Sequence, residues 1–153
     1  MSMPEPTPAH AALAAFAGRF VGEETLHPSP WDPEGGRAVG HLEARMALGG
    51  LCLVSDYREE RAGRVVMEGH GVYGYEPGPD LYVMTWVDSA GGGAPVVARG
   101  RFEGGTLTYL ASSPRGESRY VYRPTETGYH FRIELRAPDA AWRPFLEASY
   151  RRV

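Results

Sequence analysis

Tyr129-His130-Phe131-Arg132-Ile133-Glu134-Leu135-Arg136 is the stretch whose reading decides the fold. Tyr129, Phe131, Ile133 and Leu135 alternate with His130, Arg132, Glu134 and Arg136. Successive side chains of a strand point to opposite sides, so a period of two gives one apolar face and one solvated face. Segments of the same character recur along the chain, bounded by Gly and Pro clusters. The predicted strands are Arg19–His27, Val39–Leu48, Leu51–Glu59, Val65–Tyr75, Leu81–Val87, Val96–Phe102, Thr106–Ala111, Ser118–Arg123, Tyr129–Arg136 and Phe145–Arg152. Asp32-Pro33-Glu34-Gly35-Gly36, Gly49-Gly50, Pro77-Gly78-Pro79, Gly91-Gly92-Gly93 and Gly104-Gly105 separate them. Most gaps are hairpin-sized, so sequence neighbours are expected to be spatial neighbours. A ten-strand antiparallel meander leaves two bare edges unless the sheet closes, and closure favours a barrel. Ahead of it, Thr7-Pro8 caps an alanine-rich, helix-prone run, Ala9–Ala17, that Gly18 stops. Leu13 and Phe16 share one face of this single short helix.

Composition narrows the function. The 153 residues are 42% hydrophobic and 23% charged, with a formal net charge of −3. These are ordinary globular values for one domain, with no basic patch to hold nucleic acid or an acidic membrane surface. Residues 1–7 are expected to form a flexible leader and residues 8–153 a single barrel domain. All 16 basic residues are Arg, so Schiff-base chemistry on a lysine is excluded. The lone Cys52 has no internal disulfide partner, and Met1-Ser2-Met3-Pro4-Glu5 lacks the features of a signal peptide. No stretch is apolar for long enough to span a membrane as a helix. These features together predict a cytoplasmic location.

Several short stretches occur in a characteristic order: Phe20-Val21-Gly22-Glu23-Glu24-Thr25, Leu48-Gly49-Gly50, Val54-Ser55-Asp56-Tyr57, Gly69-His70-Gly71 and Gly74-Tyr75-Glu76-Pro77. Tyr82, Thr85-Trp86-Val87-Asp88-Ser89 and the closing Tyr150-Arg151-Arg152 follow. Together they resemble a bacterial family known as domain of unknown function 1579, and the resemblance covers nearly the whole chain. It implies an all-β, calycin-like barrel, related in architecture to lipocalins and fatty-acid-binding proteins, and it implies no activity. Phe20 stands where relatives often carry Trp, and Glu76 where Asp is more common.

Four residues are candidates for ligand binding. His70 lies between two glycines, which let a ligand or another backbone approach closely or merely accommodate barrel curvature. Trp86 and Asp88 share a strand face with Tyr82 and Met84, a stripe suited to an amphipathic organic molecule or to a packed core whose Asp caps a turn. Arg99, between Ala98 and Gly100, would clamp a ligand carboxylate if it pointed inward, although outward arginines are commoner. In Val65–Tyr75 the interior face is not legible: Val66, Glu68, His70 and Val72 stand against Met67, Gly69, Gly71, Tyr73 and Tyr75. The pairs His41/Glu43 and Glu68/His70, with Asp56 between them, could supply metal ligands, but two inter-strand spacings of about 10 Å separate the outer strands. No haem-attachment motif accompanies His70 or His130, so no cofactor is expected. Ser55, His70 and Asp88 make a triad only on paper, without a nucleophile elbow.

The leading expectation is therefore a binding protein for a small, mostly apolar ligand. An acid/base enzyme of cyclase or isomerase type, with His70 and a carboxylate moving protons, is the second. A homodimer or interaction module with a filled core is the third.

Overall fold

The computed structural model describes all 153 residues. Ten strands run in chain order: β1 Gly18–Leu26, β2 Gly36–Ala47, β3 Cys52–Arg61, β4 Arg64–Glu76, β5 Leu81–Asp88, β6 Val96–Glu103, β7 Thr106–Ser113, β8 Gly116–Pro124, β9 Gly128–Arg136 and β10 Arg143–Arg152. Each pairs antiparallel with its sequence neighbour, and β1 pairs with β10 from Phe20↔Arg152 to Leu26↔Leu146, closing the barrel. Closure leaves no sheet edge unpaired, the outcome that the bare edges of an open meander demanded.

Alternation sets the two surfaces. Inward positions carry the buried core, including Phe20, Leu53, Tyr73, Met84, Leu107, Tyr109 and Tyr150. Outward positions carry ion pairs such as Arg19–Glu43, Arg58–Glu60 and Arg99–Glu76. A charged outside around an apolar inside is the reverse of a barrel whose outer band faces lipid, and no helix of the chain is long and apolar enough to cross a membrane.

The N-terminal segment differs in detail from the uniform helix expected. It is one α-helical turn, α1 Pro8–Ala11, continued as a tighter 3₁₀ segment over Ala12–Phe16. His10 Nδ1 accepts the Thr7 backbone N–H at 3.0 Å, taking the part that Glu plays in an ordinary capping box. The segment lies across one end of the barrel. Tyr82 donates its hydroxyl to the Ala9 carbonyl at 2.7 Å, and Arg152 donates to the Ala15 carbonyl at 2.8 Å. Leu13 and Phe16 are driven inward and buried.

Two bulges bend strands at the opposite end, one between Glu59 and Glu60 where β3 meets β4, the other between Pro144 and Leu146 on β10. The second leaves Phe145 without a ladder partner and turns it toward the barrel mouth, where it packs on Trp31 with ring centroids 5.7 Å apart. The β3–β4 turn places Ala62 at φ 50° and Gly63 at φ 74°, a primed turn that fits the right-handed strand twist but strains a residue with a Cβ. Ala62→Asn is expected to raise stability by a few tenths to about 1 kcal/mol, because Asn tolerates the left-handed region better. Urea denaturation of the two proteins checks this.

Candidate functional site

The barrel encloses a cavity of about 500 Å³, and 24 of its 31 lining residues are hydrophobic. That volume lies within the range of small-molecule sites, and the lining commits an occupant to a mostly apolar body. Leu13 and Phe16 of the N-terminal segment form its floor, while His27, Trp31, Asp88 and Phe145 stand toward the open end.

Trp86 and Asp88 line the cavity, as their shared face with Tyr82 and Met84 predicts. Trp86 pairs with Gly71 across β4–β5, and its indole lies over Gly69, where an added Cβ would collide with the ring. The two glycines thus serve the inner face of β4, making room for Trp86 and Tyr73. The indole Nε1 donates to Asp88 Oδ2 at 2.8 Å. Asp88 Oδ1 accepts the Gly91 N–H at 2.6 Å, so the carboxylate both orients the indole and caps the glycine-rich turn.

His70 and Arg99 do not join them. With Gly69 and Gly71 inward, strand alternation turns His70 out, where its Nδ1 meets Asp56 at 2.8 Å in solvent. With Ala98 and Gly100 inward, Arg99 points out to Glu76 at 3.3 Å. Neither side chain reaches the cavity, so His70 acting on an interior ligand and Arg99 clamping a ligand carboxylate both give way to outer-surface ion pairs. The other histidines of the paper constellations face outward too. His41 lies 3.5 Å from Glu60, and His130 Nδ1 lies 2.6 Å from Ser149 Oγ.

The polar heart of the cavity is a set the sequence reading did not single out. Glu24 on β1 is completely buried. Tyr57 on β3 places its hydroxyl 2.8 Å from each Glu24 oxygen, and Tyr150 on β10 donates to Glu24 Oε2. Gly40 on β2 faces the carboxylate, and a Cβ there would strike it. Burial pushes the Glu24 carboxyl up to about 6, against the opposing pull of the two tyrosine hydrogen bonds. Burial and the neighbouring carboxylate push the Tyr57 and Tyr150 phenols well up, so both are donors at neutral pH. Beside them, Arg61 donates through Nε to Glu59 and through its terminal nitrogen to Asp32, each at 3.1 Å. Ser55 Oγ and the Tyr109 hydroxyl, both buried in the lining, have no hydrogen-bond partner.

The signal for this set was present. Phe20, Gly22, Glu24 and Leu26 share a face of β1, as do Leu53, Ser55, Tyr57 and Glu59 of β3, so a carboxylate and a hydroxyl sit on otherwise inward faces.

The fold and site define a closed ten-strand antiparallel barrel with a ligand-sized interior. The family model described as "Protein of unknown function (DUF1579)" matches residues 5–152, and the chain belongs to that family. The chain is also similar to the crystal structure of Rv2717c from M. tuberculosis, with a TM-score of 0.74 at 14% sequence identity over 97% of this chain and 99% of that one. That likeness shows a shared fold. No curated protein matches the chain.

Proposed function

We propose that the protein is a small-molecule binding protein of calycin-like architecture, holding a mostly apolar organic ligand inside the barrel. The observation that carries this reading is the enclosed, apolar cavity of about 500 Å³ into which Ser55 and Tyr109 turn unpartnered hydroxyls. Buried polar groups are ordinarily paired, and a ligand with one or two hydrogen-bonding groups would pair these. Trp86 and Asp88 form one wall of the site. The open end beside Trp31 and Phe145 is the entrance, because the N-terminal segment occupies the other.

The test is binding of the neutral fluorophore N-phenyl-1-naphthylamine. The protein is expected to bind it with enhanced probe emission and quenched tryptophan emission. Trp86→Ala should weaken binding by about tenfold, the equivalent of about 1.4 kcal/mol. His70→Ala and Arg99→Ala, which break exposed ion pairs, should leave affinity unchanged and shift stability by less than about 0.5 kcal/mol. Absence of probe binding to the unsubstituted protein would refute the reading. Once probe binding is seen, native mass spectrometry of protein purified from its own host identifies the natural occupant.

A further inference from the structure

The charge inside the cavity is one-sided. Four carboxylates line it, Glu24, Asp32, Glu59 and Asp88, against a single guanidinium, Arg61. Arg61 is already committed, with Glu59 and Asp32 each 3.1 Å away. His27, near the mouth, is held by Glu147 at 2.7 Å. Glu24 and Asp88 therefore have no cation in contact. Their partners are the Tyr57 and Tyr150 hydroxyls for Glu24, and the Trp86 indole and the Gly91 N–H for Asp88.

Buried charges are ordinarily paired, because neutral donors offset only part of the lost hydration. Glu24 is 0% exposed and lines the cavity, and the nearby Arg61 is spent on Glu59 and Asp32, so a cation in contact with Glu24 has one place from which to come. The walls around it are aromatic. The Tyr57 and Trp86 rings lie 5.9 Å apart, and aromatic faces attract a desolvated cation. Ser55, 4% exposed and two residues from Tyr57 on the same inner face, adds an unsatisfied hydroxyl that can accept an N–H. A carboxylate ligand would meet the opposite situation: repulsion from Glu24 and Asp88, and no free guanidinium.

Resting on the binding-protein reading, we infer that the cavity is selective for organic cations, an amine or quaternary ammonium group on an apolar body, with the charge held between Glu24 and the Tyr57–Trp86 wall.

The experiment uses the full chain, N-phenyl-1-naphthylamine as reporter, and three competitors with ten-carbon chains at neutral pH: decyltrimethylammonium and decanoate below their micelle-forming concentrations, and decanol below its solubility limit. Decyltrimethylammonium is expected to displace the reporter at a concentration about tenfold lower than decanoate, with decanol between them. In Glu24→Gln the preference for ammonium over decanoate should fall to within about threefold, with far-ultraviolet circular dichroism showing that the barrel is intact. The order in the unsubstituted protein is decisive even if Glu24→Gln does not fold. Decanoate binding as well as decyltrimethylammonium would overturn the cation inference and leave the cavity reading standing. Failure of the reporter itself to bind would overturn both.

Discussion

Phe16→Ala is expected to destabilise the protein by about 3–5 kcal/mol, the usual cost of deleting a buried aromatic ring from a packed core. Phe16 is 5% exposed and its ring meets Phe102, Tyr122 and Tyr129 at centroid distances of 6.3, 5.5 and 5.3 Å. The three partners come from β6, β8 and β9, so one side chain ties the N-terminal segment to three strands of the barrel. The segment has little strength of its own, being one α-helical turn and a 3₁₀ extension, so tertiary packing must hold it. Removing the ring also lowers the cavity floor, enlarging an existing void that the core cannot close by collapse. For a chain of this size the loss corresponds to a fall in melting temperature of roughly 6–20 °C. Thermal denaturation followed by far-ultraviolet circular dichroism measures it, and a fall of under about 2 °C would show that the segment does not seal the barrel.

How far the fold was legible follows from what alternation can and cannot encode. All ten strands and the closing of the sheet were legible, because most strands have one apolar face and Gly or Pro clusters mark most of their ends. Strand ends were less so: β2 begins at Gly36 and β10 at Arg143, where sequence reading placed Val39 and Phe145. Gly36, Arg37 and Ala38 are held in the sheet by Leu26, Thr25 and Glu24 of β1, a pairing that local composition does not announce. The inner face of β4 was illegible for a different reason. Gly69 and Gly71 carry no side chain to mark their face as apolar, since their role is to admit the rings of Trp86 and Tyr73.

The candidate site divides along the same line. Trp86 and Asp88 were legible because an aromatic and a carboxylate at spacing two share a strand face. His70 drew notice because glycines flank it, yet those glycines serve the opposite face. Glu24 was passed over because Glu23-Glu24 reads as an ordinary solvated pair, and only its register with Phe20 and Leu26 separates the two. Its partners are remote in sequence. Tyr57 is 33 residues away, brought in across the β1–β2–β3 meander, and Tyr150 is 126 residues away, brought in by the β1–β10 pairing that closes the barrel.

Glu24 is also expected to impose a pH dependence on stability that Glu24→Gln abolishes. The folded barrel holds the carboxyl at about 6 against an ordinary value of 4.5, with burial the largest cause and the Glu59 charge adding to it. Tyr57 and Tyr150, by hydrogen bonding, and Arg61, by its charge, pull the other way. A carboxyl whose folded value is raised binds its proton more tightly in the folded state than in the unfolded one. Its contribution is therefore fully present below about pH 4.5 and is lost as pH rises through about 6. The loss amounts to about 2 kcal/mol for this displacement. Other groups superimpose their own slopes, but they are common to both proteins and cancel in the difference. Relative to the unsubstituted protein, Glu24→Gln should gain about 2 kcal/mol between about pH 4 and pH 7, whatever the constant cost of refitting the amide among Tyr57, Tyr150 and Gly40. Urea denaturation of both proteins across that range gives the difference directly, and a difference independent of pH would mean that Glu24 titrates as it does in water.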